Sequence, residues 1–305
     1  MSGFEIIKSG IFTLLQDQGR FGLTHLGVTN SGVMDEYAAL MAQKMLHNDI
    51  SSNILEIAFS NVELKATQNT IISVTGAKCE FFINTVPYST WKTFSIKRGD
   101  IIKIGKITQG QRLYLCVKNG FDVEKEFGSN STTVKENLGG INGHQLKSGD
   151  FLAFKRYDKP FNYKLKDQFI PRYDEDELVL RVVLGYQDDT FTKEEKDKFF
   201  NSSYTITADF NRMACRLSGE KITSSVDGII SEGISFGSIQ IPKNGQPIIL
   251  LKERQTIGGY PKIGSVLSID CFKLAQRKVN TKVRFELIDI KLAQQKLKDF
   301  YSLFK

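Results

Sequence analysis

Two stretches far apart in the chain gather side chains able to hold or activate a small polar molecule. Residues 16–37 read QDQGRFGLTHLGVTNSGVMDEY, and residues 238–264 read SIQIPKNGQPIILLKERQTIGGYPKIG. Glycine has the most backbone freedom to lose on folding. Repeated Gly among Gln, Asp, Arg, Thr and Tyr therefore suggests backbone brought close to a small ligand or a partner chain. In the first stretch, the planar fork of Arg20 suits a carboxylate or a similar planar anion. Asp17 can orient that fork or act as a base, and Gln16 can hydrogen-bond an amide. His25 can serve as an acid or base or simply bond within its loop. Asp35 can face a ligand or cap a helix. The competing reading is a buried Asp17–Arg20 pair that staples the loop, with Asp35 a plain N-cap.

The second stretch is richer. Arg254, Gln255 and Thr256 lead into Gly258, Gly259 and Tyr260, then Lys262. Gly-Gly lets backbone N–H groups face an anion. Gln, Thr and Tyr supply neutral donors and acceptors for an amide or ureido group, and Lys262 can stabilise negative charge as it develops. The set suits a neutral planar substrate that becomes an oxyanion. Residues 185–192, GYQDDTFT, add Gln187 and Asp188, or else form a capped turn before a helix. Arg212, Glu232 and Gln246 complete the candidate contacts. Arg20, Asp17, Asp188, Arg254 and Lys262 are the candidates for catalysis, and the others for substrate binding.

Several chemistries lack their motifs. There is no GxxxxGK[ST] loop for a nucleotide, no HExxH spacing among His25, His47 and His144, and no G-x-S-x-G elbow. No metal site is expected. Cys79, Cys116, Cys215 and Cys271 are widely spaced, with no CxxC pair, and read as buried free thiols.

The elements that must position these groups read mainly as β. Runs at 61–66, 70–76, 78–84, 111–118, 178–185 and 281–288 are short, β-branched or aromatic, and bounded by turn residues. Many short strands at this spacing favour barrels or sandwiches. A helix is expected over 34–46 from Met34, Ala38, Met41 and Met45 on one face. Thr192 and Glu195 form a capping box before a second. Asp289 caps a third, with Ile290, Ala293, Leu297, Phe300 and Phe304 along one stripe. Residues 156–177 read as a linker. The expected division is a lobe over 1–170 and a lobe over 171–305.

The 305 residues carry 41 Lys and Arg against 34 Asp and Glu, a net charge of +7. The excess is interleaved with acidic residues, which argues against nucleic acid as a partner. No secretory leader is evident and no apolar run reaches the ~20 residues that span a bilayer. A reducing cytoplasm is the expected compartment, with no membrane partner.

Taken in order, several motifs resemble one family across nearly the whole chain. They are QDQGRFGLTHLGV (16–28), SGVMDEYA (31–38), ILEIAF (54–59), GSNST (128–132) with the later LGG and GD, GYQDDTFT (185–192), NRMACRLSG (211–219) and residues 239–264. They resemble the KipA-type family, also called allophanate hydrolase subunit 2 or the biotin-dependent carboxyltransferase family, whose prokaryotic members include 5-oxoprolinase C subunits. Asn130 stands where the family usually has Arg, and Val279-Asn280 replaces a Pro-Gly turn, though Asn can still take positive φ.

The resemblance implies two cyclophilin-like β-barrel lobes with a few short helices. It implies the KipA-type component of an ATP-dependent 5-oxoprolinase, acting with a KipI-type partner and a LamB/YcsF-type partner to open 5-oxoproline to L-glutamate. ATP is then used by the multi-subunit complex, and this chain binds no cofactor of its own. Two alternatives stand beside it. One is a carboxyltransferase subunit of a biotin-dependent urea or amide carboxylase. The other is a regulatory KipI-binding protein without catalysis. On any catalytic version, the two Gly-rich stretches are expected to share one pocket.

Overall fold

The computed structural model of the chain describes residues 2–59 and 61–304. Packing divides them into two units. The first comprises residues up to 20, 31–174 and Phe304, and the second comprises 21–30 and 175–303. The sequence division at 170/171 places 21–30 with the first lobe, whereas by packing these residues count with the second.

The first unit is one curled sheet and a helix. Its strands are β1 (Gly3–Ser9), β2 (Phe12–Gln16), β3 (Ile54–Ala58), β4 (Val62–Ala66), β5 (Thr70–Ile83), β6 (Val86–Tyr88), β7 (Lys92–Ile96), β8 (Ile101–Val117) and β9 (Phe151–Ala153). The sheet runs β2-β3-β8-β4-β1-β9, with β5 against β8 and carrying β6 and β7. The two runs expected at 70–76 and 78–84 are a single strand. Gly76, at φ 90°, makes a register shift and not a turn, as an extra residue in a bulge does. One helix, α1 (Glu36–Met45), packs on this sheet. Ser73 and Thr75 of β5 donate to the Ala42 and Ala38 carbonyls at 2.8 and 2.7 Å. The core beneath includes Phe4, Leu55, Ile57, Leu64, Ile72 and Phe81. Within residues 156–177, expected as a linker, Leu165 is buried and bonds through its N–H to Trp91.

The second unit closes on itself. Its strands are β10 (Glu177–Leu184), β11 (Ser203–Phe210), β12 (Ala214–Ser218), β13 (Glu232–Gly233), β14 (Ser238–Gln240), β15 (Ile248–Leu250), β16 (Ile257–Gly258), β17 (Lys262–Val266) and β18 (Lys282–Leu287). A closed barrel runs β10-β17-β14-β15-β12-β11-β18, and β13 with β16 forms a separate two-stranded ladder. Closure is by parallel pairing of β18 with β10, from Glu177↔Lys282 to Val182↔Leu287. Closing a sheet removes the bare edges that invite aggregation. The chain is thus mainly β with few helices.

Three helices decorate the barrel: α2 (Lys193–Asn201), α3 (Ser268–Leu274) and α4 (Ile290–Ser302). Thr192 caps α2 by accepting from Glu195 N. The Glu195 carboxylate, however, accepts from Lys198 and from Thr223 N, so the expected box is made by one partner only. Phe199 of α2 stacks on Phe285 of β18 at 4.3 Å. Arg181 of β10 grips Asp270 of α3 through two bonds of 2.8 and 2.6 Å. Asp289 caps α4 as expected. Within α4, of the apolar stripe, only Ala293 is buried; Ile290 is exposed. Among the described residues, no helix is long and apolar enough to cross a membrane.

Candidate functional site

In the second unit, one polar cluster joins three loops and strands that lie far apart in sequence. Lys262 opens β17, Glu232 opens β13, and Tyr186-Gln187 follow β10. Gln187 is the hub. Its Oε1 accepts from the Lys262 backbone N–H at 2.9 Å. Its Nε2 donates to Glu232 Oε1 at 2.9 Å and to the Tyr186 hydroxyl at 3.1 Å. Lys262 Nζ forms an ion pair with Glu232 Oε1, and the Tyr186 hydroxyl donates to Glu232 Oε2. A carboxamide whose oxygen and nitrogen are both engaged cannot flip, so it fixes the carboxylate relative to the Lys262 backbone.

The electrostatics follow from these bonds. Lys262, first, and then Tyr186 stabilise the charged form of Glu232 and hold its carboxyl below the usual range. The bond to Glu232 pushes the Tyr186 phenol up, so the phenol keeps its proton. Lys262 is only 8% exposed, while Tyr186 is 72% exposed. The cluster thus sets a sheltered ammonium and an exposed hydroxyl on one carboxylate. The hydroxyl proton is committed to Glu232, so the ammonium is the group that can donate to an oxygen that gains charge.

The Gly258-Gly259 backbone borders this cluster by necessity. Gly258 pairs with Glu232 across the β13–β16 ladder. A Cβ on Gly258 would lie 2.6 Å from Ile234 Cδ1 and 2.8 Å from Gln240 Nε2. The Gly259 carbonyl accepts from Ile229 N at 2.8 Å. Beside them Gln255 and Tyr260 are exposed and Thr256 is half-buried; the Thr256 carbonyl accepts from Ile234 N.

Other expected residues of this unit sit in separate networks. Arg254 donates to the carbonyls of Ile234 and Leu251 and to Asn30 Oδ1, at 2.9, 3.2 and 3.0 Å. Burial pushes its guanidinium down. Arg254 thereby ties residues 21–30 of the first Gly-rich stretch to the second one. Arg212 pairs with Glu253. Asp188 pairs with Lys196 of α2 at 2.8 Å. Gln246 holds the backbone of Gly219 through both its oxygen and its nitrogen. His25 lies exposed in a short turn at Thr24–Leu26.

In the first unit, Gln16, Asp17 and Arg20 are buried around residues 129–133. Asp17 Oδ1 accepts from Gly19 N and the Ser129 and Ser131 hydroxyls, and its Oδ2 accepts from Asn130 N. Arg20 donates to Thr133 Oγ1 at 3.1 Å and to the Ser131 carbonyl at 2.5 Å. Gln16 donates to the Thr132 carbonyl at 2.8 Å and accepts from Gly32 N. Gly139 completes the clamp, because a Cβ there would fall 2.1 Å from the Ser131 carbonyl. Asp35 is the N-cap of α1, and its other oxygen accepts from Tyr173 at 3.2 Å.

Sequence reasoning named Gln187, Glu232 and Lys262 and missed Tyr186. The signal was present, since Tyr186 adjoins Gln187 inside the GYQDD motif. Among the described residues no group of three His, Cys, Asp or Glu side chains is placed to hold a metal ion.

Comparison with known proteins now fixes the class. The family model described as "carboxyltransferase domain, subdomain A and B" matches residues 26–287, and the chain belongs to that family. Within it, the chain is 30% identical over 305 residues to the C subunit of 5-oxoprolinase from Escherichia coli (strain K12), covering 99% of this chain and 96% of that protein. It is 29% identical over 319 residues to a putative urea carboxylase of Emericella nidulans, covering 99% of this chain but 26% of that protein. Among solved structures, the urea carboxylase of Kluyveromyces lactis superposes with a TM-score of 0.92 at 26% identity, over 100% of this chain and 29% of that one. The chain therefore spans less than a third of each of these carboxylases.

Proposed function

We propose that this chain is the C subunit of an ATP-dependent 5-oxoprolinase, a hydrolase of a cyclic amide that works only as a complex. The observation that carries the reading is end-to-end agreement with a protein of that name, 99% of this chain against 96% of the relative. The urea carboxylase relatives carry most of their length outside the matched part. On this reading a KipI-type partner and a LamB/YcsF-type partner complete the enzyme, and the complex consumes the ATP.

The cluster of the second unit supplies what a planar lactam needs. As the lactam carbonyl is attacked, negative charge collects on its oxygen. Lys262 donates toward that oxygen, Glu232 holds the ammonium in place with Tyr186 and Gln187 bonded behind it, and the exposed Gln255 amide and Tyr260 hydroxyl bond the ring. Arg254 keeps the loop seated. Mixing the purified chain with its co-encoded partners, ATP and 5-oxoproline tests the assignment. Glutamate forms in the complete mixture and stops when any one component is left out. Full turnover without this chain would end the reading.

The structural agreement with a urea carboxylase over all of this chain favours one second reading, carboxyl transfer from carboxybiotin to a urea-like amide. It is chosen if a carboxylated biotin carrier plus urea gives product in the presence of this chain while 5-oxoproline gives none.

A further inference from the structure

Strands β6 and β7 form an outer margin of the first unit's sheet. Both pair with β5 and with no other named strand. Segment 163–165 covers one end of β7: Thr93 N donates to the Tyr163 carbonyl at 2.9 Å, and Leu165 N to the Trp91 carbonyl at 3.1 Å. The cover then stops, because Tyr163 N turns to the Thr93 hydroxyl at 2.8 Å. In an antiparallel ladder, alternate residues direct both backbone groups to the same side. Ser95 therefore faces outward as Thr93 does. Its counterpart on β5, Ile71, gives its carbonyl to Lys118 N on the opposite side at 2.8 Å. By this alternation the Ser95 N–H and C=O point away from β5.

This margin borders a groove of about 810 Å³. Lys92, Lys97 and Lys164 line it together with Tyr88, Phe94 and Tyr163. Tyr88 meets Phe94 edge-on at 5.4 Å. The carboxylate on the wall, Asp100, accepts from Asn84 Nδ2 at 3.0 Å and from Lys97 N at 2.8 Å. Lys164 has an exposed pair with Asp167 at 3.3 Å, a contact that water weakens to little. Lysines alone are what a protected edge carries. Here they flank a groove floored by aromatic rings, the arrangement in which strand addition takes its affinity from backbone bonds and its specificity from pockets.

We propose that this groove binds an extended acidic segment of a partner protein, added as a strand at the β7 edge through Ser95. The acidic side chains meet the three lysines, and alternate apolar side chains lie against Tyr88 and Tyr163. The inference is independent of the activity assigned above.

The test follows the Ser95 amide by NMR in the purified chain. The probes are a synthetic peptide alternating Glu and Val and its counterpart alternating Lys and Val. The acidic peptide shifts the Ser95 signal saturably and the basic one does not. Ser95→Pro removes the outward N–H without touching the β5 ladder, and it weakens binding about tenfold or more, as loss of a backbone strand contact should. Circular dichroism checks that this variant folds. A Lys97→Glu, Lys164→Glu double variant, altered only at the surface, loses acidic binding in the same way. Absence of a saturable shift, equal binding of both peptides, or unchanged binding by Ser95→Pro overturns the proposal. So does displacement of the peptide by millimolar free glutamate, which would mark an anion site and not a strand site.

Discussion

Lys262 carries its charge where water barely reaches, and Glu232 compensates it. Removing the ammonium leaves a carboxylate with only Tyr186 and Gln187 to bond. In the assembled complex, Lys262→Met should lower kcat about 100-fold or more, the cost of one donor to a developing oxyanion. Size-exclusion chromatography should show the complex still formed. Turnover within a factor of two of the parent would remove Lys262 from the chemistry. The Glu232 carboxyl adds a pH signature. Its folded pKa lies below the ordinary value of 4.5, held there by Lys262 and then Tyr186. Its stabilising effect is therefore full above the ordinary value and is lost as pH falls through the lowered one. Urea unfolding of the parent and of Glu232→Gln should differ at pH 7 and converge at acid pH below that value. A gap that widens on acidification would contradict the sign. At this scale the sequence showed which residue types mattered but not which would touch. Asp17 and Arg20 have the composition of a binding pair, and only the fold reveals that residues 129–133 occupy them.

Among elements, the segment at 129–133 depends on a carboxylate more than on apolar contact. Asp17 receives two hydroxyls and two backbone N–H groups. Asp17→Ala would strand these donors, at ~1–3 kcal/mol for each that finds no water. A drop of about 3 kcal/mol or more in urea unfolding is expected on that accounting. A loss under about 1 kcal/mol would mean that water replaces the carboxylate. Strands such as β4 and β10 were legible because apolar and polar residues alternate there. Helix α1 was legible from the stripe of Met34, Ala38, Met41 and Met45, and α2 and α4 because Thr192 and Asp289 announce them as caps. Helix α3 was not, since it has seven residues and Leu267 at its N-cap makes no side-chain bond. The continuity of β5 was hidden for a related reason: Gly76 signals a turn in sequence and serves as a bulge in the sheet. Asn280 behaves as its type allows, at φ 72°.

Across the whole molecule, the cysteines report on packing. Cys116, Cys215 and Cys271 are buried and Cys79 is half-buried, all free. Burial pushes the Cys79 thiol up to about 12 and raises Cys116 and Cys271 strongly, so thiolate is scarce at neutral pH. An aromatic disulfide reagent at pH 8 should label none of the four in the native protein within minutes, and all four in denaturant. Rapid native labelling would mean that one of these cores opens readily. The barrel that holds Cys215, with Cys271 in α3 beside it, was foreseen as a β lobe from its short strands. Its manner of closure was not, because pairing of β10 with β18 joins segments about a hundred residues apart and leaves no local mark.

That seam orders the birth of the second unit on the ribosome. A nascent chain that stops anywhere before Lys282–Leu287 emerges holds a sheet with two unpaired margins, at β10 and β11. Such margins are where growing chains stick to one another. The last strand to be made is thus the one that seals the cylinder, and a protein cut short there is left to chaperones or proteases.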